Sequence, residues 1–165
     1  MKKYALLFII ILSFLFTGCN GNVNTKEQQP KAAAKETVKA TLYFANEQAD
    51  ALLPVEREIS KSSDMVVSLV NELNNPGKYA PILPNGTKLI DYKTQGDTLT
   101  LNFNKDFANL QGTTGETLAI NALVNTLTEL PQYKKVRLLV EGKPLETGHA
   151  IYDQPLERNE SIIQK

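Results

Sequence analysis

The 165-residue chain has one cysteine, one histidine and no tryptophan. With Cys19 alone, no disulfide can form within the chain, so an exported domain of this composition must be held by its core. A single histidine, His149, and a single cysteine cannot supply the usual zinc ligand sets. Basic and acidic residues balance at 18 each, which leaves no basic excess of the kind nucleic-acid binding needs. Aromatic residues make up only 7% of the chain, so the core must be mostly Leu, Ile and Val. The longest apolar run falls short of the ~20 residues a membrane-spanning helix requires.

What is present begins at the N-terminus. Met1-Lys2-Lys3 is positive, residues 4–16 carry no charge and only the hydroxyls of Tyr4 and Ser13, and Thr17-Gly18-Cys19 closes the run. That is a secretory signal with a small-residue cleavage site. The junction resembles the lipobox of bacterial lipoproteins, with Phe16 at a position where that pattern favours an aliphatic residue. The resemblance implies cleavage after Gly18 and a diacylglyceryl group on the Cys19 thiol. Two acyl chains are the number stable anchoring needs. The competing readings are an ordinary secretory signal with an incidental cysteine and a retained transmembrane helix. The expectation is therefore a signal peptide over 1–18, a flexible tether over 19–37, and attachment to the cell membrane at its extracytoplasmic face. Loss of Lys2 and Lys3 leaves a formal charge of −2, and no polybasic cluster follows Cys19 to add electrostatic adhesion to lipid. Residues 20–35 are polar or small and show no apolar period, as a tether would.

A domain is expected over 38–155. Val38, Ala40, Leu42 and Phe44 alternate with Lys39, Thr41 and Tyr43, the pattern of a half-buried strand. A second strand follows over 52–59, irregular or at an edge because Pro54 cannot donate a ladder hydrogen bond. Ser62 or Ser63 is placed to cap a helix whose apolar face is Val66, Leu69, Val70 and Leu73. Residues 88–94 and 98–104 read as a hairpin about Gln95-Gly96-Asp97, although Leu89 and Ile90 interrupt the alternation. A long helix over 114–130 carries the stripe Ile120, Leu123, Val124 and Leu127, and Pro131 stops it. A strand over 136–140, a turn at Glu141-Gly142-Lys143-Pro144 and a short final strand complete the order β-β-α-β-β-α-β. Residues 156–165 read as a polar tail, expected to fray. The fold class expected is α+β, a single domain with a mainly antiparallel sheet and two helices packed on one face.

Several blocks in this order resemble the GerMN domain family. They are Thr41-Leu42-Tyr43-Phe44-Ala45, Leu53-Pro54-Val55-Glu56-Arg57-Glu58-Ile59, Leu83-Pro84-Asn85-Gly86-Thr87-Lys88-Leu89, Ala122-Leu123-Val124-Asn125-Thr126-Leu127-Thr128-Glu129-Leu130-Pro131, Lys135-Val136-Arg137-Leu138-Leu139-Val140 and Gly142-Lys143-Pro144-Leu145. The resemblance implies an exported or lipid-anchored bacterial protein, a fold like the ring-building domains of secretion and sporulation channels, and a non-enzymatic role in envelope assembly, in sporulation or germination. A peptidoglycan-binding module is the alternative it leaves open.

The residues offer little chemistry. No G-x-S-x-G frames Ser60, Ser62, Ser63 or Ser68 for a triad with His149, and these serines serve better at the start of a helix. Glu56 and Glu58 share a strand face and could in principle pair as carboxylates, although the intervening Arg57 and the period-2 pattern are better explained by an exposed strand face. Gly112-Thr113-Thr114-Gly115 could hold an anion at a helix start but lacks the lysine and spacing of a P-loop. Glu129 sits at a helix C-terminus, where its charge opposes the dipole, and so calls for a partner, inside the domain or outside it. No cofactor, metal or nucleic acid is expected. The candidate contacts for an envelope protein or a glycan are Tyr43, Glu56, Glu58, Tyr92 and Glu129, with Tyr79 and Tyr133 as further aromatic platforms.

Overall fold

The computed structural model describes residues 36–165. The expected signal, Cys19 and nearly all of the expected tether lie outside the described residues. The domain opens with a hairpin of β1 (Thr37–Ala45) and β2 (Leu52–Ser60), paired antiparallel from Thr37↔Ser60 to Ala45↔Leu52. Asn46 shapes its turn by accepting from the Asp50 and Ala51 amides at 3.0 and 3.3 Å. Helix α1 (Met65–Asn74) follows and buries Val66, Leu69, Val70 and Leu73, the face its spacing predicts. Its cap is Asp64, which accepts from the Val67 amide at 3.0 Å. Ser62, one of the two serines expected there, instead accepts from the Asp64 amide and so orients the cap one step on.

The remaining strands are β3 (Leu89–Gln95), β4 (Thr98–Phe103), β5 (Lys135–Val140), β6 (Lys143–Glu146), β7 (Ile151–Tyr152) and β8 (Leu156–Glu157). Between β4 and β5 lies α2 (Gly112–Leu127). The β3–β4 turn has Gly96 at φ +60, as a turn with glycine at its first central position demands.

The α+β single domain with two helices expected from the sequence is what forms. Three features differ. First, the strands make two sheets, the β1–β2 hairpin and a larger sheet ordered β3-β4-β5-β6-β7, with β8 also paired to β5. Second, β4 and β5 run parallel, Thr98↔Lys135 through Phe103↔Val140, because α2 serves as the crossover that a parallel pair requires. Third, α2 is buried all round, Ala122 through Leu127 without a break. Successive residues step ~100° about a helix axis, so such a run leaves no solvent face. The helix touches β1 on one side and β5 and β8 on others, which is why its polar Asn125 and Thr126 are as buried as its leucines.

The C-terminal residues also depart from expectation. Residues 156–165 do not fray; they are built into the domain. Leu156 pairs with Val136, Ile163 bridges Leu52, and the Gln164 amide donates to the Leu52 carbonyl at 2.8 Å. Asn125 of α2 holds this segment by donating to the Asn159 carbonyl and accepting from the Asn159 amide, both at 2.9 Å. A polar composition was compatible with order because the partners it satisfies are themselves buried and polar.

Candidate functional site

Helix α1 and the edge strand β3 bound a groove of about 580 Å³, lined by Val67, Asn71, Asn74, Leu89, Ile90 and Tyr92 among others. Asn71, Asn74 and Thr87 also line an adjoining hollow of about 630 Å³ beside Pro84 and Asn85. Val67, Asn71 and Asn74 stand at i, i+4 and i+7, so they form a second stripe on α1 next to the buried one. On the opposite wall, β3 pairs with β4 through a register shift between Leu89 and Asp91. Ile90 is the extra residue of that bulge, and it stands 55% exposed. Among the described residues the exposed large apolar side chains are Val67, Ile90 and Ile151, and the first two line this groove.

Two polar contacts fix the walls. Asp64 caps α1 with one carboxylate oxygen and accepts from the Tyr92 hydroxyl with the other, at 3.1 Å. Burial and this carboxylate hold the Tyr92 hydroxyl above the ordinary tyrosine range. At the other end, Asn104 donates to the Gly86 carbonyl and accepts from the Lys88 amide, both at 2.9 Å, and so pins the loop that leads into β3. β3 is a terminal strand of its sheet, so alternate backbone groups along it have no strand partner among the described residues.

The other residues singled out in the sequence sit elsewhere. Tyr43 was expected on the polar side of its strand; it is 3% exposed and cannot serve as an open platform. Its hydroxyl donates to Glu129 at 2.6 Å and accepts from Arg158 at 2.5 Å, with the guanidinium 5.1 Å above its ring. Burial, then the Glu129 bond, pushes the Tyr43 hydroxyl above its ordinary range. Glu129 thus has its partner inside the domain, and Arg158 completes the pair at 2.8 Å. Burial works against the Arg158 charge, but its bonds to Glu160 and Tyr43 and the nearby Glu129 outweigh it, so the group is more firmly cationic than usual.

Glu56 and Glu58 face solvent on β2, and Glu56 lies 4.0 Å from Lys39 with both side chains 75% exposed. The β2 edge near Pro54 lacks the Pro54 donor, and the Gln164 amide already occupies the Leu52 carbonyl. Tyr79 stacks on Phe44 at 5.1 Å, and Tyr133 is buried with its hydroxyl 3.1 Å from that of Thr94. His149 is exposed on the turn between β6 and β7, where its backbone amide binds Thr147. Of the candidates expected from the sequence, only Tyr92 reaches the groove.

The groove residues that sequence reasoning missed are Val67, Asn71, Asn74 and Ile90. A signal existed for two of them. Val67 is an apolar residue off the buried face of its helix, and Ile90 breaks the period of its strand.

The chemistry of the groove is that of contact. It offers apolar side chains, two amides, the charged Lys88 and Asp91, and an open strand edge. Among the described residues no group of three His, Cys, Asp or Glu is placed to hold a metal ion. No helix among them is long and apolar enough to cross a membrane.

Residues 41–146 match the Germane family model, described as sporulation and spore germination. The chain belongs to this family. Its fold is that of the GerMN domain: the tandem GerMN domains of the sporulation protein GerM from Bacillus subtilis superpose with a TM-score of 0.62 at 25% identity, over 78% of this chain and 46% of that one. The first GerMN domain of the same protein superposes with a TM-score of 0.65 at 19% identity, over 74% of this chain and 98% of that one. The chain therefore spans less than half of the tandem structure. No curated protein matches its sequence. The GerMN match places the α1–β3 groove and the pinned loop within the family's own segment, while β7, β8 and the residues after them lie beyond it.

Proposed function

We propose that this GerMN protein is a lipid-anchored, non-catalytic component of the cell envelope that works by holding a protein partner in the α1–β3 groove, in the service of sporulation or germination. The observation that carries this reading is the gathering of Val67 and Ile90 beside an unpaired sheet edge. An extended segment added to β3 would satisfy its free backbone groups, and alternate side chains would enter the groove. The lipobox-like junction at Cys19 supports the anchor, and the family description supports the setting. The alternative, a glycan contact on peptidoglycan, would need an open aromatic face. Tyr43, Tyr79, Tyr92 and Tyr133 are each stacked, buried or bonded within the domain, which weighs against it.

The test places a photo-crosslinking amino acid at Ile90 or, as a control, at Glu47 in the full chain in its membranes. Crosslinking to a defined protein species from position 90 alone is expected, with loss of the species on Val67→Asp. Equal labelling from both positions, or retention on sacculi that muropeptides displace, would count against the groove. A parallel Cys19→Ser variant is expected to leave the membrane fraction or remain unprocessed; full membrane retention with normal processing would remove the anchor from the proposal.

A further inference from the structure

We infer that the partner at the β3 edge is a second copy of this chain, joined antiparallel through β3 about a two-fold axis. This rests on the groove reading above. It names the occupant from the charge pattern of the strand. Antiparallel pairing centred on Tyr92 sets Asp91 of each copy opposite Lys93 of the other, and Ile90 opposite Thr94. Both charged side chains are exposed, and among the described residues neither has an ion-pair partner. The Asp91 carboxylate accepts from the Asn102 side-chain amide at 2.8 Å, which holds it in place on the open side of the sheet.

The pattern also fixes the register. Moving the centre by one residue, to Asp91 or Lys93, puts like charges face to face, which is unfavourable directly across strands. An edge guarded against pairing carries charges that repel any copy of itself. Here opposite charges two residues apart make the edge self-complementary, as a two-fold contact requires. Each copy would also bring Ile90 and Val67 to the rim of the joint, where they stand exposed in the single chain. Seven-residue strands bury less surface than stable complexes do, so the contact is weak and depends on local concentration.

The experiment measures the mass of the full chain, solubilised from membranes, by sedimentation up to roughly millimolar concentration. It also looks for carbodiimide coupling of Asp91 to Lys93 between isotopically light and heavy copies. Wild-type protein is expected to dimerise and to yield the light–heavy crosslink. Asp91→Lys and Lys93→Asp are each expected to weaken the dimer by about tenfold or more, since two attractive contacts become two repulsive ones. An equimolar mixture of the two variants restores it, because each then faces its opposite. Both positions are solvent-facing, and unchanged melting curves exclude misfolding as the cause. A single-chain mass at every concentration, or a dimer indifferent to both reversals, overturns the inference. If Ile90 crosslinks another envelope protein while the chain stays monomeric, this inference fails and the groove reading stands. If neither pairing nor any Ile90 crosslink is found, both fail.

Discussion

Arg57 is the residue whose replacement tests the structural argument most directly. It projects from the inner face of β2 between solvent-facing Glu56 and Glu58 and ends the helix that forms one wall of the groove. Its guanidinium donates to the Asn75 carbonyl at 2.9 Å, to the Pro76 carbonyl at 2.5 Å and to the Glu72 carboxylate at 3.1 Å. It also lies 4.7 Å from the centre of the Phe44 ring. A cation there answers the negative end of the helix dipole and the carbonyls the helix leaves unpaired. Glu72 is 34% exposed, so the ion pair itself contributes only about 0.5–1 kcal/mol. Two bonds from a charged donor and the ring contact add about 2–3 kcal/mol after allowance for water at the exposed end. Arg57→Ala is therefore expected to cost about 3 kcal/mol and Glu72→Gln less than about 1 kcal/mol. Arg57→Lys should fall between them, because an ammonium cannot span carbonyls and carboxylate as a planar fork does. In urea unfolding followed by circular dichroism, 3 kcal/mol moves the midpoint by about 1–3 M. Equal losses for Arg57→Ala and Glu72→Gln would refute the argument by assigning the whole effect to the surface ion pair.

Gly86→Ala should destabilise by about 1–2 kcal/mol, since Gly86 has φ +84 and a Cβ would stand 3.0 Å from the Asp106 carboxylate; thermal melting checks it, and no change would mean the loop is free to adjust. Burial and the Glu116 carboxylate raise the Tyr152 hydroxyl to about 12, so the stability it contributes is intact below the ordinary tyrosine value and lost as pH rises through about 12. Tyr152→Phe should lower stability near neutrality and flatten part of the alkaline fall between about pH 10 and 12, with Tyr43 and Tyr92 supplying the rest. An unchanged alkaline limb in denaturant titrations at stepped pH would show that the Glu116 bond contributes nothing.

The order of elements was legible because apolar periodicity is local. Val66, Leu69, Val70 and Leu73 announce α1, and Leu99, Leu101 and Phe103 announce β4. The parallel pairing of β4 with β5 was not legible, because nothing in either strand distinguishes a crossover from a return. Asn125 and Thr126 broke the apolar pattern of α2 and concealed that the helix is buried all round; their partners, the Asn159 backbone and the Tyr43 amide, lie far away in sequence. The same distance hid the role of Arg158 and made residues 156–165 look like a tail. Glu129 was the exception: its misfit with the helix dipole pointed to a partner, and Tyr43 and Arg158 answer it.

The placement of these polar ties bears on how the groove can work. Arg57 and Arg158 are committed to closing helices and holding the C-terminal segment, and the buried Glu116 accepts from Tyr152 and Thr147 at 2.6 and 3.0 Å. Beside the charged Lys88 and Asp91, the groove offers apolar side chains, the Asn71 and Asn74 amides, and the backbone of β3. Binding within it would bury apolar surface and form main-chain hydrogen bonds, terms that salt screens little. The opposed charges of Asp91 and Lys93 lie on the open side of the same strand, where screening acts over ~10 Å at 0.1 M salt. Register therefore rests on the charges, whereas affinity draws on the charges together with the apolar and main-chain contacts of the same edge. Raising the salt should loosen the choice of register before it abolishes attachment, whereas Ile90→Asp should abolish attachment at any salt.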